Sequence, residues 1–333
     1  MLRNPEIMLY LGNSTTWRGA FAWCYKLINR KTKEVFAGKI IKRKLLTQPG
    51  DHEKVIREVT IHEELRHKHI VRMHSHFFDK DNFYIVLELC SNTSLSDVCK
   101  KRKTLTETEA RYYLRQLLSA VSYLHEERHI LHRDLKLGNM LLSEDMQVKL
   151  ADFGLADRMP KPNEPFRAVI CGTPNYVSPE IISKIGHSVA SEAWAIGCIL
   201  YAMLLGRPPF ETDDMSLTYD HISKVKYSLP SDSCCSDAQD LIVSLLHSDP
   251  SSRPTAREAL LHPFLTAANI PQSLSPELCF VPPTSLYKCP DTKQNAVTRT
   301  RSHDLYDKLL LPFSSSKPFD SIANSNKHTA ASK

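Results

Sequence analysis

No C-x-x-C pair occurs among the nine cysteines, which removes the commonest zinc and dithiol signatures. Cys234 and Cys235 are adjacent and the total is odd, so a secreted disulfide framework is not indicated either. Met1-Leu2-Arg3 does not open a signal peptide. A reducing compartment, cytoplasm or nucleus, is therefore expected. The longest apolar run, Ala193 to Gly206, has 14 residues; that is short of the ~20 a membrane helix needs and right for a buried core helix. Basic residues are scattered rather than run together, so the net charge of +6 fits an affinity for acidic substrates or phosphates no better than it fits no role at all. Internal repeats are missing. So is any Ser, Thr or Tyr from Leu155 through Gly172.

What is present is concentrated in His132-Arg133-Asp134-Leu135-Lys136-Leu137-Gly138-Asn139, flanked by the apolar runs His129-Ile130-Leu131 and Met140-Leu141-Leu142. Ser143-Glu144-Asp145 turns the chain into Gln147-Val148-Lys149-Leu150-Ala151, and Asp152-Phe153-Gly154 follows. The pattern predicts short strands around polar loops that bring Asp134, Asn139 and Asp152 to one place. Two oxygen ligands and a further carboxylate suit a magnesium-held triphosphate and a base that orients a hydroxyl.

Earlier in the chain, Val35-Phe36-Ala37-Gly38-Lys39-Ile40-Ile41 is strand-like with one internal lysine. Asp51 to Leu65 has helical periodicity, with Glu58 among Val55, Val59, His62 and Leu65 on one face. A carboxylate on an apolar face needs a partner, and Lys39 is the natural one. Phe77 to Cys90 predicts two strands about a polar turn. Thr106-Glu107-Thr108-Glu109 is a capping box before a helix whose apolar face runs from Ala110 to Leu124. Ala195 to Leu205, Ala238 to Leu246 and Ala256 to His262 predict three more helices, with Pro263 stopping the last.

H-R-D-x-K-x-x-N followed by D-F-G resembles the protein kinases. Arg111-Tyr112-Tyr113-Leu114-Arg115-Gln116, Leu135-Lys136-Leu137-Gly138-Asn139 and Cys171-Gly172-Thr173-Pro174-Asn175-Tyr176 with Ser178-Pro179-Glu180 narrow the resemblance to the polo-like serine/threonine kinases. The resemblance implies an α+β, two-lobed fold. The kinase domain would span 9–265 (small β-rich lobe 9–89, larger helical lobe 90–265), followed by a strap and tail at 266–333. It implies ATP and Mg²⁺, with Asp134 and Lys136 catalytic and Asn139 and Asp152 on the metal. Nucleotide contacts would come from Leu11, Gly12, Gly19, Ala20, Cys24, Ala37, Lys39, Glu58, Glu88, Cys90 and Leu141. Leu87 would be the gatekeeper, Thr173 would shape the substrate site, and Glu180 would pair with Arg253. Protein substrates acidic near the acceptor are implied, in cell-cycle or stress pathways, with a centrosomal location possible by resemblance alone. No nucleic-acid or membrane partner is expected. The chain would be a monomer without polo-box phosphopeptide binding, since about fifty residues after the strap are too few for that module.

The sequence departs from the family in three places. About five extra residues fall within Asn13 to Arg18, between Gly12 and Gly19; read without a gap, Trp17 replaces the first glycine of the loop. Val169 stands where these kinases carry an activating threonine, and Glu192 where kinases have an aspartate that holds the His-Arg-Asp turn. Glu192 keeps the charge but adds a methylene, so the turn is expected to be held less well and Glu192→Asp to raise activity. A pseudokinase that binds nucleotide or partners without turnover is the alternative that these departures leave open.

Overall fold

The computed structural model describes residues 15–18, 22–160 and 170–280, the first four as backbone alone. A five-stranded antiparallel sheet, in the order β1-β2-β3-β5-β4, makes the small lobe. Its strands are β1 (Thr15–Arg18), β2 (Ala22–Ile28), β3 (Val35–Lys42), β4 (Met73–Phe78) and β5 (Asn82–Glu88). In the ladder Cys24 faces Lys39, and Ala37 faces Leu87. Side chains on a strand alternate, so these four share one face of the sheet with Ile41 and Ile85. Helix α1 (Asp51–Glu63) covers part of that face through Val55 and Val59, packed with Ala22, Met73 and Ile85.

β1 falls within the stretch read as carrying extra residues: Trp17 lies opposite Cys24 and Arg18 opposite Trp23, with a register shift between Thr15 and Trp17. Leu11, Gly12, Gly19 and Ala20 lie outside the described residues.

Helices dominate the large lobe: α2 (Leu95–Arg102), α3 (Glu107–Ser122), α4 (Pro179–Ile182), α5 (Val189–Leu205), α6 (Met215–Ser223), α7 (Ser236–Leu245), α8 (Ala256–Leu260) and α9 (Pro263–Thr266). Short strands β6 (Ile130–Leu131), β7 (Met140–Leu142), β8 (Val148–Leu150) and β9 (Asp157–Arg158) pair as β6–β9 and β7–β8. The Thr106/Glu109 capping box forms as expected. Pro263, by contrast, opens α9 rather than merely ending α8, because its missing N–H costs nothing at a first helical position.

α5 is apolar all round because it is buried all round, from Ser191 through Leu204. Gly197 lets α7 approach it: a Cβ there would lie 2.9 Å from both Leu245 Cβ and Leu246 Cδ2. Gly197→Ala is therefore expected to destabilise the fold by ~1–3 kcal/mol, seen as a lower thermal midpoint. Bidentate Arg253–Glu180 bonds of 2.7 and 3.0 Å close the lobe below α5. After α9 the chain returns to α2. There Arg102, paired with Glu109 in the interior, also donates to the Leu278 carbonyl at 2.9 Å; Cys279 is buried and the Lys101 ammonium sits 4.5 Å over the Phe280 ring.

Candidate active site

Four segments carry the functional side chains: β3, α1, the loop between β6 and β7, and the residues after β8. Lys39, from the middle of β3, reaches Glu58 Oε1 on α1 at 2.7 Å and Asp152 Oδ1, beyond β8, at 3.0 Å. Burial alone would drive the Lys39 ammonium toward neutrality, but the two carboxylates outweigh it and hold its pKa well above the ordinary lysine range. The Lys39 charge in turn draws Asp152 down to about 2, against the opposing effect of burial. Near neutral pH this is a positive centre between two negative ones, with one cation shared by groups 19 and 113 positions from it in the chain.

The loop between β6 and β7 supplies the second cluster. Asp134 is buried. Its Oδ1 accepts from Thr173 Oγ1 at 2.7 Å, and its Oδ2 accepts from Lys136 Nζ at 2.6 Å. Lys136 also donates to Thr173 Oγ1 at 2.8 Å. Asn139 uses its amide nitrogen on Asp134, 2.8 Å to the carbonyl and 3.1 Å to Oδ2, which leaves its amide oxygen available for a cation. The Asn139 carbonyl accepts from Ala151 N–H at 2.9 Å, placing Asn139 beside Asp152. Gly172, at φ +107°, makes the approach of Thr173 possible: a Cβ there would lie 3.0 Å from the Arg133 carbonyl.

What holds this loop is where sequence reasoning fell short. Arg133 is left-handed, φ 64°, a conformation that costs a non-glycine residue ~1–2 kcal/mol. Its N–H donates at 2.6 Å to Oε1 of Glu192 on α5, and Oε2 of the same carboxylate meets His125 Nε2 at 2.6 Å. Burial opposes the Glu192 charge, but His125 and the Arg133 N–H hold its pKa below the usual glutamate value. The expected loosening of the turn is therefore corrected: from α5, the longer side chain spans to both partners. His125, seven positions before His132, was not anticipated.

A third chain of contacts joins α1 to the loop. His62 donates through Nε2 to the Val71 carbonyl at 2.7 Å; its ring is 4.6 Å from that of Phe153, which is 5.0 Å from that of His132. Burial pushes the His62 pKa down to about 4. Unfolded, it would titrate near 6.5, so its contribution is complete above that pH and is lost as pH falls toward 4. A loss of about 3 kcal/mol is expected, measurable by denaturant titration at pH 7.5 and 4.5. His62→Leu should flatten this slope without abolishing it, because burial lowers His69 to about 4 as well.

The other candidates among the described residues sit on neighbouring strands. Cys24 and Ala37 share the Lys39 face of the sheet, and Cys24 is held as a thiol with its pKa pushed by burial to about 11. Glu88 ends β5; Lys149 of β8 grips it at 2.6 Å, and Leu141 is the ladder partner of Lys149. Cys90 follows, likewise a thiol, raised by burial to about 12. Lys149 was missed because one lysine in a short strand carries no motif.

Among the described residues no cluster of three or more His, Cys, Asp or Glu could hold a metal, and no helix is long and apolar enough to cross a membrane. A cation at Asn139 and Asp152 would thus draw most of its ligands from phosphate oxygens and water. That suits Mg²⁺, which binds through one or two protein oxygens, and would not suit zinc.

The Protein kinase domain family model matches residues 13–265. Serine/threonine-protein kinase PLK2 of Mus musculus is 45% identical over 274 residues, 82% of this chain and 40% of its own length. Serine/threonine-protein kinase polo of Drosophila melanogaster is 41% identical over 303 residues, 91% of this chain and 50% of its own. Serine/threonine-protein kinase PLK1 of Xenopus laevis is 43% identical over 322 residues, 92% and 53%. The chain spans about half, or less, of the lengths of these relatives.

Proposed function

The chain belongs to the protein kinase family, and on that premise we propose that it transfers the γ-phosphate of ATP to serine or threonine hydroxyls of protein substrates. The observation that carries the reading is the convergence of Lys39, Glu58, Asp134, Lys136, Asn139 and Asp152 on one cleft. Bound Mg²⁺ would neutralise charge on the phosphates; the Asn139 amide oxygen and the Asp152 carboxylate would hold it. Lys39, kept cationic by its two carboxylates, positions the nucleotide phosphates. Asp134 orients the acceptor hydroxyl and takes its proton, and Lys136 sets a positive charge against the transferring group. Cys24, Ala37 and Leu141 wall the base, with the Glu88 and Cys90 backbone at its edge.

The resemblance to the polo-like kinases implies substrates acidic near the acceptor, a cell-cycle or stress role, and a cytoplasmic or nuclear site of action. The function is tested with Mg·ATP and dephosphorylated casein, using Asp134→Asn as control. Phosphate incorporation by the wild type and not by the variant is expected; equal incorporation by both would refute the reading.

A further inference from the structure

The stretch Leu155 to Gly172 carries no hydroxyl that a phosphate could occupy, yet the arginine beside the catalytic aspartate is not left facing water. Arg133, 9% exposed at its side chain, donates from Nε to the Leu155 carbonyl at 2.6 Å and lies 3.2 Å, through NH2, from Asp157 Oδ2. That same carboxylate oxygen is 4.0 Å from NH1 of Arg57 on α1, one position before the Glu58 that grips Lys39. Asp157 belongs to β9, where it pairs with Leu131, two residues ahead of Arg133. The next residue, Arg158, donates to Glu64 at 2.6 Å just past α1, and the other oxygen of Glu64 is 3.1 Å from Arg128. Charge of both signs thus crosses between β9, α1 and the catalytic turn.

We infer that Asp157 is a positioning residue whose encoded carboxylate ties Arg133 to β9, and β9 to α1, so that phosphoryl transfer needs no modification of this segment. The inference rests on the proposed kinase reading and deepens it by naming how that site is kept competent. A phosphate would bring up to two charges where the carboxylate brings one, but the carboxylate is permanent. Of the carboxylate's two contacts, the 3.2 Å pair with Arg133 carries most of the effect, since the Arg57 pair is long and the Arg57 side chain is 37% exposed.

The test compares wild type, Asp157→Asn, Asp157→Glu and Glu164→Gln, all expressed in bacteria, phosphatase-treated and confirmed by mass to carry no phosphate. Wild type should keep its full kcat after treatment. Asp157→Asn should lose roughly ten- to a hundredfold in kcat with KM for ATP within about twofold, and Asp157→Glu should recover most of it. Glu164→Gln, which removes the other carboxylate of the stretch, should change neither constant. A large loss on phosphatase treatment, an Asp157→Asn variant as fast as wild type, or the loss appearing in Glu164→Gln instead would overturn the proposal.

Should the wild type show no turnover above Asp134→Asn, the kinase reading fails by itself, and the tie is judged by hydrogen exchange. The Ala156 and Met159 amides, bonded at 3.0 Å to Phe153 and 2.8 Å to His129, should exchange faster in Asp157→Asn. Unchanged exchange would dispose of the tie as well.

Discussion

Asp134→Asn is expected to lower kcat by ~10²–10⁴-fold while leaving nucleotide affinity within about twofold. The side chain is positioned by contacts the amide can only partly keep. Oδ1 accepts from Thr173 and Oδ2 from both Lys136 and Asn139. An asparagine offers one oxygen and one NH₂: with the NH₂ at the Oδ2 position it confronts the Lys136 and Asn139 donors, and with the NH₂ at the Oδ1 position the Thr173 hydroxyl must turn from donor to acceptor. The change removes the proton acceptor and disturbs its immediate frame, but leaves Lys39, Glu58 and Asp152 untouched on the other side of the cleft. Single-turnover kinetics with a nucleotide-binding titration separate the two effects. A variant losing affinity and rate together would mean that Asp134 supports the nucleotide rather than the acceptor.

Glu192→Asp is expected to lower kcat by roughly 10²-fold and to destabilise the fold by ~1–3 kcal/mol, the reverse of what the sequence suggests. Removing a methylene withdraws the carboxylate by about 1.5 Å. Both of its bonds, 2.6 Å to Arg133 N–H and 2.6 Å to His125, would then stretch beyond hydrogen-bonding range unless α5 moved. α5 is packed on every side, so it cannot follow. The left-handed Arg133 turn would lose the acceptor that offsets its strain, and Asp134 is the next residue. Steady-state kinetics and a thermal melt check the two halves; an aspartate variant as fast as wild type would show that the helix does yield.

These two residues also mark how far the chain could be read without coordinates. Asp134 was legible because its chemistry needs several fixed residue types close together, and such a cluster is rare by chance. The Lys39–Glu58 pair was legible because a carboxylate on an apolar helix face demands a cation. Glu192 was visible as a departure, but the sign of its effect depends on where α5 sits relative to the turn, which no periodicity encodes. His125, Lys149 and Asp157 gave no signal: each is an ordinary residue in a short element, and its role comes from a partner more than 60 positions distant (Lys149 with Glu88, His125 with Glu192) or from the fold of a two-residue strand. β1 gave no signal for a related reason: four residues, Thr-Thr-Trp-Arg, are too few to show a period, and their place comes from pairing with β2.

The return of the chain to α2 has a practical corollary for anyone making the protein. A fragment trimmed at residue 265, where the family match stops, would take away the Leu278 carbonyl and strand part of a guanidinium that is 3% exposed. It would also strip the cover that Cys279 and Phe280 give α2. The smallest piece worth purifying therefore runs to at least residue 280, and a shorter one that aggregates would say nothing about catalysis.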